Sequence, residues 1–251
     1  MKVLLISIGI FFLFILAIIC VFFIIYLKAK NTLKKNGINL ETELKNSVNY
    51  ERQEYSRIKD VRGLTTMLEP LILEDFSNFN KELMYSLCER NLRKIFNCIE
   101  EKNYDCIKND NDFIYLKSDL KSKIDDMNSN GSIERFDNVE FNRHAIYRYI
   151  KEKGKATIKI SSSVSYYYET NIKNKKSFPN ILKQTRYTSE FVYVYDESKF
   201  IGSQTSFSIH CPNCGAPVKK INCEYCEYCG NHIEPINLKT WKMSSYSEDY
   251  K

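Results

Sequence analysis

Two pairs of cysteines near the end of the chain have the types and spacing of a metal site. Cys211 and Cys214 form one C-x-x-C pair, Cys226 and Cys229 form another, and a glycine follows each pair directly. Each pair places two thiolates on one tight turn, and four thiolates bind Zn²⁺ tetrahedrally. The glycines are expected to let the backbone pass close under the metal. The spacing therefore predicts a zinc ribbon over residues 211–233 that holds one structural Zn²⁺.

Cys223 leaves a second choice of ligands open. It forms an overlapping C-x-x-C with Cys226, so the second knuckle could use Cys223 in place of Cys229. We prefer the pair that ends at Cys229 because a glycine follows only that pair. A disulfide cluster is the alternative, but it would need an oxidising compartment. The other four cysteines are interpreted as small apolar residues of a core or a membrane segment: Cys20, Cys88, Cys98 and Cys106.

The N-terminal stretch predicts a membrane anchor over residues 1–27. Residues 3–27 carry no charge and consist mainly of Ile, Leu, Phe and Val, which is enough to cross a hydrocarbon core of about 30 Å. Four lysines follow within residues 28–35, and only Lys2 precedes the stretch. The positive-inside rule then predicts a single-pass protein of the cell membrane, in contact with lipid through its anchor, whose C-terminal domain is cytoplasmic.

The basic excess of the chain belongs to this N-terminal segment. The formal net charge is +6, and residues 1–35 contribute +5 of it, so the folded body is close to neutral. A nucleic-acid-binding domain carries its basic residues over its folded surface. Lys219 and Lys220 lie in the ribbon, but Glu224 and Glu227 offset their charges. No nucleic-acid partner is therefore expected, and a zinc-ribbon nucleic-acid module is only an alternative interpretation.

Two amphipathic helices are predicted after a polar, partly helical tether over residues 28–69. The first starts after Asn80, which is placed to cap it, and has apolar residues at spacings of three and four as far as Ile99. The second has the same spacing from Phe113 and stops at Asn130-Gly131. Each helix has one apolar face and therefore must pack against another element.

Alternating apolar and polar residues predict the strands that these helices cover. Period-two alternation bounded by turn residues is typical of an antiparallel meander. Helices followed by strands predict an α+β domain over residues 70–210, with the helices on one side of a curved sheet. Residues 234–251 are expected to add one more strand near Trp241 and then a frayed tail from Ser244. The strands of the meander are predicted at residues 139–149, 158–168, 187–195 and 205–209.

The order of these features resembles the bacterial zinc-ribbon proteins of the Tim-forty-four-like family. The resemblance covers residues 64–243 and rests on Leu-Ile-Leu-Glu-Asp-Phe-Ser-Asn-Phe-Asn at residues 71–80, the tyrosine-rich strands, the two cysteine motifs and the late tryptophan. It implies a fold of the nuclear-transport-factor-two type, with a cleft between the helices and a concave sheet. Cys223 and the lysine-rich loop at residues 173–176 depart from the family pattern.

The leading functional hypothesis is a binding or scaffold protein that is not an enzyme. The resemblance links it to protein transport at the membrane, and its cleft would accept a protein or a hydrophobic ligand. The sequence contains no Gly-rich phosphate loop, nucleophile elbow or H-E-x-x-H motif.

An enzyme that uses the cleft for acid-base chemistry is the main alternative. Its candidate residues are His144 with a tyrosine partner, but His144 falls on the polar register of its strand, so a solvated histidine is expected. His210 and His232 flank the ribbon and are expected to be bystanders, because four cysteines complete a tetrahedron. The candidate tyrosine partners are Tyr147, Tyr149, Tyr166 and Tyr168.

Overall fold

The computed structural model describes residues 2–35, 40–195, 211, 213–216, 225–232 and 239–249. They form two units, Met1–Glu54 and Tyr55–Lys251. The helices are α1 (Lys2–Lys35), α2 (Leu40–Ser56), α3 (Thr65–Asp75), α4 (Lys81–Glu101), α5 (Asp105–Lys108) and α6 (Lys117–Asn130), and the strands are β1 (Glu134–Glu152), β2 (Lys155–Thr170), β3 (Lys183–Val194) and β4 (Lys242–Asp249).

The prediction of a membrane-spanning segment at residues 1–27 is not supported by helix α1. Within the described residues, no helix combines the length and the apolar character that a bilayer crossing requires. This finding contradicts the predicted anchor.

The two predicted amphipathic helices correspond to α4 and α6. The side chain of Asn80 accepts a hydrogen bond from the N–H of Leu83 at 3.0 Å, which confirms the predicted cap of α4. Helix α6 ends at Gly131, whose φ of 70° lies in the left-handed region. Helix α6 starts later than predicted, because Phe113 belongs to a short 3₁₀ turn, Asn111–Phe113. Both helices bury their apolar faces in the core shared with the sheet.

The strands form one open antiparallel sheet in the order β1-β2-β3-β4. This confirms the predicted α+β class and the antiparallel pairing of the first three predicted strands, at residues 139–149, 158–168 and 187–195. The even-numbered positions of β2 that were predicted to face the helices are almost fully buried, among them Ile158, Ile160 and Tyr166. Strand β2 is central, and serines on its other face, such as Ser161 and Ser163, are also buried. The sheet therefore packs on both faces in its middle.

Strand β1 departs from simple alternation because its register with β2 shifts three times. The shifts lie between Asp137 and Glu140, between Phe141 and Arg143, and between Ile146 and Arg148. Each irregularity changes which residues face the core. Ala145 and Ile146 are consecutive, yet both are buried.

The C-terminal strand contradicts the prediction of a frayed tail. Ser244 to Asp249 were expected to be a frayed tail, but they belong to β4, which pairs with β3 from Lys242 onward. The pairing explains the order: Asp249 accepts a hydrogen bond from Arg186 at 2.9 Å, and Glu248 accepts one from Thr185 at 2.7 Å. The strand predicted at residues 205–209 lies outside the described residues.

Asn91 is a polar residue in the apolar core. It lies on α4, is fully buried, and neither its side-chain oxygen nor its side-chain nitrogen has a hydrogen-bond partner among the described residues. A buried amide without a partner loses its hydration and gains nothing in return.

We expect Asn91→Leu to raise the free energy of unfolding by about 1–2 kcal/mol, because leucine of similar size removes the unpaired polar atoms. Urea denaturation of both forms measures the difference. Asn97→Leu is the matched control, since Asn97 lies exposed on the same helix and reports only the gain in helix propensity. Equal gains at positions 91 and 97 would show that the buried amide costs nothing.

Candidate functional site

The first cysteine knuckle is a tight turn closed by two backbone hydrogen bonds. The N–H of Gly215 donates to the carbonyl oxygen of Cys211 at 2.9 Å, and the N–H of Cys211 donates to that of Ala216 at 2.8 Å. These bonds bring Cys214 back beside Cys211. The short C-x-x-C spacing thus places two thiols on the same side of one turn.

The second knuckle repeats this pattern with Cys226 in the place of Cys211. The N–H of Gly230 donates to the carbonyl oxygen of Cys226, and the N–H of Cys226 donates to that of Asn231, both at 2.9 Å. Gly215 and Gly230 have φ values of 71° and 69°. A Cβ at either position would meet no described heavy atom within 4 Å. Within the described part of the chain, the left-handed backbone conformation is therefore the reason for glycine at both positions.

The two knuckles bring four thiols together. The Sγ atoms of Cys211 and Cys229 are 3.7 Å apart, as are those of Cys214 and Cys226. All four sulfur atoms lie within 4.8 Å of one another, so this group could hold a metal ion. Cys211 and Cys226 are buried, and Cys214 is exposed.

Most of the other residues considered with the ribbon lie outside the described part of the chain. The alternative ligand Cys223 lies outside the described residues, together with His210, Lys219 and Lys220. His232 is described, and it forms an isolated antiparallel bridge and an edge-to-face ring contact with Tyr225 at 5.6 Å.

Polar neighbours favour the thiolate of Cys229. The backbone N–H of Asn231 and the side-chain amide of Asn213 lower the pKa of Cys229 to about 6. The N–H of Ala216 also favours the thiolate of Cys214, but the adjoining thiols outweigh it and raise the pKa of Cys214 to about 12. A metal ion binds thiolates, so it must displace the proton that the cluster retains.

The remaining four cysteines agree only in part with the expected apolar core residues, because Cys88 and Cys98 are buried but Cys20 and Cys106 are exposed. Cys98 on α4 and Cys106 on α5 form a disulfide. Cys88 remains a free, fully buried thiol, and burial raises its pKa to about 11. This disulfide links two helices that follow each other in the sequence, where the sequence had predicted only apolar packing.

His144 is not the solvated histidine that the alternation predicted. Its side chain is only 12% exposed, and its ring stacks on Tyr85 and Phe141 at centroid distances of 5.3 and 5.8 Å. Its Nδ1 lies 2.9 Å from the hydroxyl of Ser162, and burial lowers its pKa. The register shifts of β1 explain the difference, because they turn this position away from solvent.

The structure does not join His144 to its candidate tyrosine partners. Tyr149 donates a hydrogen bond to Asp75 at 2.6 Å, and the hydroxyl of Tyr166 lies 3.1 Å from that of Tyr187. Tyr168 donates to Glu134, and Tyr147 is half-buried. Among the described residues, no hydrogen bond or ring contact links any of these tyrosines to His144. The four tyrosines do not form one acid-base site with this histidine.

A second polar cluster, which the sequence analysis missed, surrounds Glu134 at the start of β1. Glu134 is only 3% exposed. Lys123 of α6 lies 3.1 Å from its carboxylate, Lys175 lies 2.7 Å away, and Tyr168 donates to it at 2.7 Å. Burial alone would raise the pKa of Glu134, but the two lysines and Tyr168 hold it below its ordinary value. Extending the alternation backward from Phe136 would have placed Glu134 on the inner face.

A cavity of about 210 Å³ lies beside this cluster, and we call it the Glu134 cavity. It lies between helices α4 and α6 and all four strands, where the sequence analysis expected a cleft. Its polar wall contains Lys123, Glu134, Lys175 and Glu248, and its apolar wall contains Phe96, Ile99 and Phe136.

Comparisons of the chain with models of protein families, with curated proteins and with solved structures find no match. The resemblance to the Tim-forty-four-like family therefore stays a prediction from the sequence motifs.

We expect Gly215→Ala to weaken metal binding about tenfold, because a left-handed backbone costs an alanine about 1–2 kcal/mol. Competition with a coloured chelator measures the affinity. Gly215→Asn is the control, since asparagine tolerates this conformation better than alanine. If alanine and asparagine weakened binding equally, the cause would be side-chain bulk and not backbone strain.

We expect Glu134→Gln to lower the free energy of unfolding at pH 7 by about 2 kcal/mol, because it leaves two lysines without their shared carboxylate. The pKa of Glu134 is lower in the folded protein than the ordinary value of 4.5. Its contribution is therefore present above about pH 4.5 and is lost as the pH falls through the folded value. The difference between wild type and variant should shrink from pH 7 to about pH 3.

Urea denaturation at both pH values tests this expectation. Glu169→Gln is the matched control, because Glu169 pairs with Arg135 at the surface and should change stability little at either pH. A difference for position 134 that is the same at pH 7 and at low pH would contradict an electrostatic origin.

Proposed function

We propose that this chain is a binding module, not an enzyme, and that one structural zinc ion holds the segment between β3 and β4 in shape. The single observation that carries the proposal is the group formed by Cys211, Cys214, Cys226 and Cys229. Four cysteines are a complete set of ligands for tetrahedral zinc, so no position remains open for a water or a substrate.

The spacing of the sulfur atoms supports zinc. Zn–S bonds of about 2.3 Å in a tetrahedron place the sulfur atoms about 3.8 Å apart. Two of the Sγ pairs are 3.7 Å apart. Thiolates also bind iron in this geometry, but paired knuckles of this type favour zinc.

The place of the cysteines in the chain supports a structural role. Both knuckles lie between Val194, where β3 ends, and Lys242, where β4 begins. β3 and β4 nevertheless pair side by side. Closing the long connection between β3 and β4 costs conformational entropy. A metal bound by both knuckles shortens the free part of this connection and reduces the cost. The metal then stabilises the pairing of the last strand.

The binding part of the proposal is supported by the Glu134 cavity between the helices and the sheet. Pockets of ligand-binding domains combine an apolar wall with a few placed polar groups, and this cavity has both. The motifs over residues 64–243 add the resemblance to the Tim-forty-four-like family as further support.

We expect about one zinc per chain, and Cys229→Ser should lose it, because a tetrahedral site with three thiolates binds zinc far more weakly. Elemental analysis for zinc and iron on the full chain, prepared with reductant, measures the content. A strong chelator should also lower the thermal midpoint of the wild type and leave that of Cys229→Ser unchanged.

Cys20→Ser is the control, because Cys20 is an exposed cysteine far from the cluster in the sequence. It should keep the wild-type zinc content. The proposal is wrong if the wild type contains iron in place of zinc, or if the metal content of Cys229→Ser equals that of the wild type.

A further inference from the structure

The polar wall of the Glu134 cavity carries two cations that share one carboxylate. Lys123 and Lys175 both pair with Glu134, which also accepts a hydrogen bond from Tyr168. An ammonium group has three donors, so one carboxylate does not exhaust the donors of two lysines. Burial and the charge of Lys175 lower the pKa of Lys123, whereas the charge of Glu134 raises it. These three charges leave a net positive charge at this wall.

The other carboxylate of the cavity does not remove this excess. Glu248 on β4 pairs with Lys183 at 2.6 Å and accepts a hydrogen bond from Thr185 at 2.7 Å. Glu248 therefore pairs directly with a different lysine, and its charge also raises the pKa of Lys123. The positive excess belongs to Lys123 and Lys175.

The charged and the aromatic residues lie at different ends of the cavity. The side chains of Lys123 and Lys175 are 34% and 32% exposed, so they lie at its opening. Phe96 and Phe136 are almost fully buried and stack at a centroid distance of 4.7 Å. The cavity thus has a cationic opening and an aromatic interior.

The volume limits the size of an occupant. A cavity of about 150 Å³ in another protein accepts benzene, and typical pockets for larger ligands start near 300 Å³. The Glu134 cavity, at about 210 Å³, lies between these values. It therefore matches a molecule of one aromatic ring, or a short chain, with one small polar group.

We infer that the Glu134 cavity binds a small organic carboxylate, whose charged group pairs with Lys123 and Lys175 and whose apolar body packs against Phe96 and Phe136. This inference rests on the binding function proposed above and names its class of ligand. A cationic ligand would meet two ammonium groups at the opening, and a neutral one would leave their spare donors unused.

The probe for this inference is 4-fluorobenzoate, titrated into the full chain and followed by ¹⁹F NMR. Lys123→Met should weaken its binding at least about tenfold, because it removes a charge-assisted hydrogen bond. Lys175→Met, in a loop outside the helices, should do the same and remains informative if the helix variant fails to fold. The neutral 4-fluorobenzyl alcohol should bind more weakly than the carboxylate and respond little to either change.

Lys121→Met is the matched control. Lys121 lies on the same helix as Lys123, but it is exposed and pairs with Asp125. Its loss should leave the affinity for 4-fluorobenzoate within about a factor of two of the wild type. Circular dichroism and zinc content are measured on every sample, so that folding and the metal are checked separately from the ligand.

Two outcomes would overturn the inference, and they differ in what they mean for the proposed function. Equal affinities for the acid and the alcohol, unchanged in Lys123→Met, would reject the carboxylate but retain the cavity as a binding site. Absence of binding by any of these probes to a folded, zinc-containing chain would reject the inference and the binding role of the cavity. A folded wild-type chain that binds the probe but contains no zinc would instead refute the structural metal.

Discussion

The burial of one carboxylate constrains much of the α+β unit. Glu134 is 3% exposed, and a charge so deeply buried persists only if its partners are held in place. Those partners come from helix α6, from β2 and from the loop that follows β2. Helix, sheet and loop must therefore meet at one point at the same time. The Glu134 cavity lies where these partners meet the aromatic side chains.

Features set by local spacing could be predicted from the sequence. The two C-x-x-C-G motifs bring four thiols together, because each knuckle is closed by hydrogen bonds within six residues. Asn80 caps α4, and apolar residues at spacings of three and four mark its buried face, because both signals act within one helix. The even positions of β2 are buried as its alternation predicted, because no register shift interrupts its pairing with β3.

Features that depend on distant partners could not be predicted. The register shifts of β1 are visible only against β2, so the burial of His144 was missed. The polar residues of β4 suggested a frayed end, and their partners, such as Arg186 and Thr185, lie some sixty positions earlier. Lys175 belongs to a lysine-rich loop that had no place in the family pattern, and its carboxylate partner lies 41 residues away. The predicted membrane anchor was inferred from the length and apolar character of residues 3–27 and is contradicted by the described helices.

Strand β4 connects the two sites of this chain. It follows the segment that contains the cysteine knuckles, and its residues Tyr246 and Glu248 form part of the wall of the Glu134 cavity. If the cysteines hold the proposed metal and the cavity holds the proposed ligand, both would favour the same docked arrangement of β4. Thermodynamic linkage would then make the effect reciprocal, so that each ligand would increase the affinity for the other by the same factor. Metal supply and cavity occupancy would act on one equilibrium, the docking of a single strand.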